Sequence, residues 1–232
     1  NAQTPTTWRR LAAVADLVTS STRAVVVSAE GPSFCAGLDR RMLTPDGVPG
    51  ERSILDLATL DRAGVDAFIV DAQAAFRWLR EVPALTIALV DGHAIGAGFQ
   101  LALACDWMIV GDDAQLAMRE TSLGLVPDLG GTLPLLDRVG YSRAMEICAT
   151  GRFVGAEEAV RLGIAVAQVA QAEWDAYVDT TLAPVRAALP DAVGELKALL
   201  QDAAARDEQF TRERGAQLRR LAALHALMAG PP

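Results

Sequence analysis

The sequence predicts an α/β protein, a largely parallel sheet covered on both faces and followed by a helical segment. Three features carry that prediction. Continuously apolar or β-branched runs, AVVVSA at 24–29 and LTIALV at 85–90, stop at Gly31-Pro32 and Asp91-Gly92, as buried strands do, and WMIV at 107–110 gives a third. Segments with 3.6-residue periodicity alternate with those runs. Beyond Gly151 strand signals nearly vanish and long Ala/Leu/Arg helical patterns take over. The change places a boundary near residue 150, between an α/β core (1–150) and a helical segment (151–232).

Taken in order, Thr4-Pro5 supplies a cap and a first-turn proline, and Leu11, Val14, Ala15 and Val18 recur at helical spacing, predicting a helix over 5–20. After the strand at 24–29, the text from Gly31 to Glu51 is rich in Gly, Pro and charge and predicts an irregular, mobile loop, with the mobility extending over 42–60. Val65, Phe68, Ile69, Ala72, Phe76 and Leu79 mark a helix over 61–82. The strand at 85–90 leads to a short helix over 99–104 and the strand at 107–110. Helices follow at 156–162, 172–189, 191–204 and 208–228. The last carries Leu218, Leu221, Leu224, Ala226 and Leu227, too apolar a stripe for a lone surface helix, and is expected to bury it against the core or another subunit.

Composition narrows the function. With 51% hydrophobic residues the chain of 232 has a core to bury, which excludes intrinsic disorder. A net charge of −8 leaves little field to attract a polyanionic duplex, so nucleic acid is not an expected partner. No stretch reaches the roughly 18 apolar residues of a membrane span. Cys35, Cys105 and Cys148 are far apart, which fits a reducing, cytoplasmic setting better than a disulfide framework. Asn1 is not followed by the charged and apolar regions of a secretion signal. The sequence holds no G-x-S-x-G, Walker A loop or H-E-x-x-H, and two histidines, His93 and His225, make a poor metal site. Gly96-Ala97-Gly98 opens like a dinucleotide-binding turn, but Leu101 stands at the third glycine position.

Two small-residue turns remain, each after a strand: SFCAGLD (33–39) and DGHAIGAGFQ (91–100). Small side chains let backbone approach a ligand, and amides at a helix start carry unpaired partial positive charge. Two such donors aimed at one oxygen would form an oxyanion hole. Tight strand-to-helix packing accounts for the same composition equally well.

Those turns, the longer run IALVDGHAIGAGFQLALACDW (87–107), MRETSLGLVPDLGGT (118–132) and TGRFVGAEEAVRLGIAVAQV (150–169) resemble, in order and separation, the motifs of the crotonase superfamily, also called the enoyl-CoA hydratase/isomerase family. The resemblance spans essentially residues 1–200. It implies a spiral of ββα units with a C-terminal helical segment that builds trimers or pairs of trimers, preceded by N-terminal strands that the given chain lacks. It also implies an enzyme acting on acyl-CoA thioesters, with CoA arriving as part of the substrate and no metal or redox cofactor.

Carried over by position, the resemblance assigns the oxyanion donors to the backbone amides of Leu38 and Ala97, the latter requiring a negative φ. Ala36, Leu38, Asp39, Arg40, Arg41, Ala97 and Gly98 would border the substrate and CoA, with Arg40 or Arg41 near the CoA phosphates or adenine. Asp39 and Arg41 could instead form a surface ion pair. Hydratases of the family use two glutamates, whose positions here hold Gln100 and Glu120. Gln100 orients by hydrogen bonding but exchanges no proton at neutral pH. Glu120 matches the single glutamate that suffices in enoyl-CoA isomerases, and burial among Leu116, Met118 and Leu123 would raise its pKa. A pairing with Arg119 or a turn cap is the plain alternative. Asp128 resembles the second acid of dienoyl-CoA isomerases and the nucleophile of chlorobenzoyl-CoA dehalogenases, or else it caps the helix at Gly130-Gly131. The resulting expectation is double-bond isomerisation over hydration, against a non-catalytic acyl-CoA-binding homologue. His93 and Cys35 are expected to pack rather than react.

Overall fold

The computed structural model describes residues 1–201 and 203–228. The chain opens with β1 (Ala2–Gln3) and α1 (Pro5–Ala13), where the Thr4 hydroxyl accepts the Thr7 N–H and Pro5 occupies the first turn. A 3-10 turn, Val14–Leu17, finishes what the pattern predicts as one helix to residue 20. Then come β2 (Ala24–Val27), β3 (Gly37–Leu38), and 3-10 turns at Arg40–Leu43 and Asp56–Thr59. In α2 (Arg62–Glu81) the Asp61 carboxylate accepts the Gly64 N–H at 2.8 Å as N-cap. The centre of the chain supplies β4 (Leu85–Val90), β5 (His93–Ile95), α3 (Ala97–Ala104), β6 (Trp107–Val110) and β7 (Gln115–Ala117). A 3-10 turn at Glu120–Leu123 precedes α4 (Thr132–Val139), α5 (Tyr141–Thr150), β8 (Val154–Gly155), α6 (Ala156–Arg161) and β9 (Ala167–Gln168). Three helices close the chain: α7 (Trp174–Ala187), α8 (Pro190–Leu200) and α9 (Ala203–Met228). No helix among the described residues is long and apolar enough to cross a membrane.

The main sheet has the order β2-β4-β6-β9, all parallel, with Ile87 opposite Val26 on one side and Trp107 on the other. Its central strand β4 is buried throughout, because side chains alternate between two covered faces. Leu85, Ile87 and Leu89 pack with Ile109, Trp174 and Leu182 beneath α7. Ala88 and Val90 face the larger core of Phe76, Leu79, Phe99 and Leu103 beneath α2 and α3. Each fully buried Leu, Ile or Phe contributes about 1.5–3 kcal/mol, so a two-faced strand reads as an unbroken apolar run. A second sheet pairs β5 parallel to β7 and β7 antiparallel to β8. Both β8 and β9 come after residue 150, so the chain feeds the sheets until Gln168 and turns purely helical only from Gln171.

Within 42–60, expected to form a mobile loop, two side chains are anchored: Met42 is fully buried, and Leu57 lies in a cluster with Val65 and Ile69 of α2 and Leu218 and Leu221 of α9. The apolar stripe of α9 is thus partly used within the same chain; the side chains of Leu224 and Leu227 lie outside the described residues. On the opposite side Lys197 of α8 donates to Leu79 O at 2.8 Å and Ala84 O at 3.1 Å and pairs with Asp106 at 2.9 Å, tying that helix to the entry of β4.

Candidate active site

Long-range pairing brings the two small-residue turns together. Phe34 N–H donates to Asp91 O, Cys35 N–H to His93 O, and Ile95 N–H to Cys35 O, each at 2.9 Å. Gly98 presses on the same stretch, since a Cβ there would stand 2.2 Å from Cys35 O. Close backbone packing is therefore one use of the small residues. Two glycines add another. Gly37 has φ +88° and Gly96 φ +53°, conformations that L side chains rarely adopt. They immediately precede Leu38 and Ala97, and a Cβ on Gly37 would lie 2.5 Å from Ile95 O and 3.6 Å from Ala97 N.

The amides of Leu38 and Ala97 are free of the ladders around them. Ala97 opens α3, so its N–H has no intrahelical acceptor, and no described residue accepts from it. In the β1–β3 pair Asp39 N–H donates to Gln3 O at 2.8 Å, and alternate amides of a parallel strand point to opposite sides, which turns the Leu38 N–H away from β1. Ala97 keeps a negative φ, as does every non-glycine residue described.

Beside Gly96 lies the Glu120 carboxylate, with Oε1 3.4 Å from where a Gly96 Cβ would be. Gln100 Nε2 donates to Glu120 Oε1 at 2.7 Å, whereas Glu120 Oε2 is buried with no hydrogen-bond partner. Burial is the main reason its pKa is pushed up to about 7, and the Gln100 hydrogen bond offsets only part of that. Of the residues named around it, Leu116 and Met118 are buried and Leu123 is half exposed. Arg119 is turned instead to Gly151 O. Gln100 has no spare polar atom: its Oε1 accepts Leu129 N–H at 2.9 Å and Gly131 N–H at 3.3 Å.

Asp128 lines the same cavity as Glu120. Burial, then the charges of Glu120 and Glu213, hold its pKa well above the carboxylate range. The cap of α4 comes from elsewhere in the chain. Glu213 of α9 accepts Gly130 N–H at 2.6 Å, Thr132 N–H at 3.1 Å and the Thr132 hydroxyl, and burial raises its pKa too. Gln217, one turn further along α9, accepts Val126 N–H at 3.1 Å.

Gln100, Glu120, Asp128 and Gln217 border a cavity of about 550 Å³. Ala36, Leu38, Ala97, Gln100 and Glu120 line one part, and Leu43, Ile54, Leu57, Phe68 and Leu221 form an apolar wall. Arg40 is on the rim, but Arg41 is committed to Asp39, with the pair at 2.7 Å and Asp39 lowered to about 2 chiefly by that hydrogen bond. Asp39 also caps the 3-10 turn through the Arg41 N–H. His93 stands outside the lining, edge-on to Phe153, whose side chain does border the cavity. Cys35 is buried and accepts hydrogen bonds from Gln3 and Gly37 N–H, so it is more than filler.

Sequence reasoning missed Gln3, Glu213 and Gln217. Glu213 sits in the alternating charges of TRERGAQLRR, a pattern of solvated helices, and only its buried contacts set it apart.

Comparison with known proteins identifies the family. A Thermobifida fusca YX protein assigned to the enoyl-CoA hydratases, solved with acetoacetyl-CoA, superposes with a TM-score of 0.80 and 43% identity over 96% of this chain and 87% of that one. An enoyl-CoA isomerase/hydratase of Penicillium crustosum is 37% identical over 144 residues, 62% of this chain and 15% of the relative. A Mycobacterium bovis relative named as an enoyl-CoA hydratase is 35% identical over 141 residues, 61% of this chain and 49% of the relative. The matched stretch thus spans at most about half the length of these two proteins. The family model described as enoyl-CoA hydratase/isomerase matches residues 1–224. With the spiral α/β core, the paired turns and nearly the whole length accounted for, the chain belongs to the enoyl-CoA hydratase/isomerase family, the crotonase superfamily.

Proposed function

We propose that the protein is an acyl-CoA-processing enzyme that stabilises a thioester enolate and moves a double bond, with Glu120 as the acid/base. The thioester oxygen is held by the Leu38 and Ala97 amides, where loss of a single donor costs about 2.7–4 kcal/mol of barrier stabilisation. Glu120 Oε2 takes a proton from the carbon next to the carbonyl and returns it further along the acyl chain; Asp128, whose burial favours the protonated form, is the other candidate donor, and in that route the proton left on Glu120 passes to Asp128 to restore the pair. The observation that carries this reading is the bare, buried Glu120 Oε2 beside the Gly96–Ala97 peptide. Arg40, on the cavity rim, is the cation available to CoA phosphates. No metal or redox group takes part. The protein works as a trimer or pair of trimers, a reading supported by Leu196, Leu199 and Leu200 of α8, all left exposed.

Isomerisation is favoured over hydration because Gln100 exchanges no proton and spends its amide on Glu120, Leu129 and Gly131. The same observation favours the competing reading, a binder without turnover. Assays of 3-enoyl-CoA isomerisation and crotonyl-CoA hydration, side by side, separate them. The expected result is isomerisation well above hydration and a fall of about 10²–10⁴-fold in Glu120→Gln. Acyl-CoA affinity with neither reaction supports the binder, and a fully active Glu120→Gln removes the assigned base.

A further inference from the structure

The two turns that present Leu38 and Ala97 are separate pieces of chain, and Gln3 touches both. Its carbonyl accepts Asp39 N–H at 2.8 Å, which sets the register in which the Leu38 amide faces away from β1. Its side chain bridges the two, Nε2 donating to Ala97 O in the second turn and to Cys35 Sγ in the first, both at 3.3 Å. Gln3 is only 2% exposed, and an amide so placed is costly unless hydrogen-bonded.

Its orientation follows from its partners. Trp8 Nε1–H, a donor only, meets Gln3 Oε1 at 2.7 Å, while Ala97 O, an acceptor only, requires the NH2 end. Turning the amide over would set donor against donor and acceptor against acceptor. A group serving only to fill space needs none of these three matched contacts.

We propose that Gln3 is a positioning residue for the oxyanion hole, fixing the spacing and aim of the Leu38 and Ala97 amides through one side chain and one carbonyl. The inference rests on the oxyanion reading above. Gln3 touches no reacting atom; it acts through the turns, where a misplacement of about 1 Å can cost about 10²-fold in rate.

The test is Gln3→Met in the full chain, a side chain of similar length that cannot donate. Isomerase kcat should fall about 10–100-fold while KM stays within about threefold, the pattern of an interaction made mainly in the transition state. Difference infrared spectra of bound, carbonyl-labelled butyryl-CoA supply a readout that a merely structural role leaves alone. The parent should shift the thioester stretch to lower frequency than in water, and Gln3→Met should lose much of that shift. If Gln3→Met fails to fold, Trp8→Phe, which removes the N–H orienting the amide, should show a smaller loss in the same direction. An unchanged stretch with unchanged kcat per folded molecule in the soluble variant overturns the assignment of Gln3 and leaves the hole intact. A parent that itself produces no shift overturns the oxyanion reading, and this inference with it.

Discussion

In the proposed mechanism Glu120 combines a catalytic need with a stability cost. Its pKa of about 7 in the folded protein compares with an ordinary value of 4.5, so between those limits the folded state binds the proton more tightly than the unfolded chain. The resulting penalty is absent below pH 4.5, grows as pH rises, and is complete above about 7. At about 1.4 kcal/mol per pH unit it amounts to no more than about 3.5 kcal/mol. Glu120→Gln should therefore melt higher than the parent at pH 8 and near it at pH 4.5, read by thermal denaturation at both; a pH-independent difference would contradict the buried assignment. In the parent, kcat should climb through pH 7 as the base ionises. Gly37 makes an opposite kind of demand. Gly37→Ala places a Cβ in a left-handed conformation 2.5 Å from Ile95 O, so the turn must shift. A loss of about 1–3 kcal/mol in denaturant unfolding is expected, with acyl-CoA turnover falling further than stability explains. Parental turnover at parental stability would show that the conformation is dispensable.

At the scale of elements, α9 buttresses the loop that carries Asp128. Glu213 holds the Gly130 and Thr132 amides, Gln217 holds Val126, and Gln73 of α2 donates to Asp128 O at 2.7 Å. Glu213→Ala leaves the start of α4 without its acceptor and should cost about 1–3 kcal/mol, with faster hydrogen exchange at Gly130 and Thr132 and little change at β4. Uniform exchange across the protein would count against a local role. The sequence made some of these elements plain and hid others, for physical reasons. β4 is legible because both faces are covered, and α2 because its apolar stripe is long and its cap is an aspartate. β1, β3, β8 and β9 have two residues each, too few to leave a period, and exist because distant strands pair with them. Glu120, Gln100 and Asp128 are singled out by the family resemblance, whereas spacing fixes no distance between Glu120 and Asp128 and gives no sign that Gln100 has both ends of its amide occupied. Gln3 and Glu213 were not legible, because the burial of a polar side chain is decided by neighbours far away in sequence.

For the whole molecule, the exposed leucines of α8 are where the proposed assembly can be tested. Leu199→Glu with Leu200→Glu should lower the mass observed by sedimentation equilibrium if subunits meet there, and an unchanged mass moves the interface elsewhere. The cavity has a second whole-molecule property. Trp8, near the beginning of the described chain, and Leu221, near its end, border the same space. The cavity is therefore a property of nearly the whole described chain rather than of one segment, and its walls close only when α9 is seated against α2 and the Asp56–Thr59 turn.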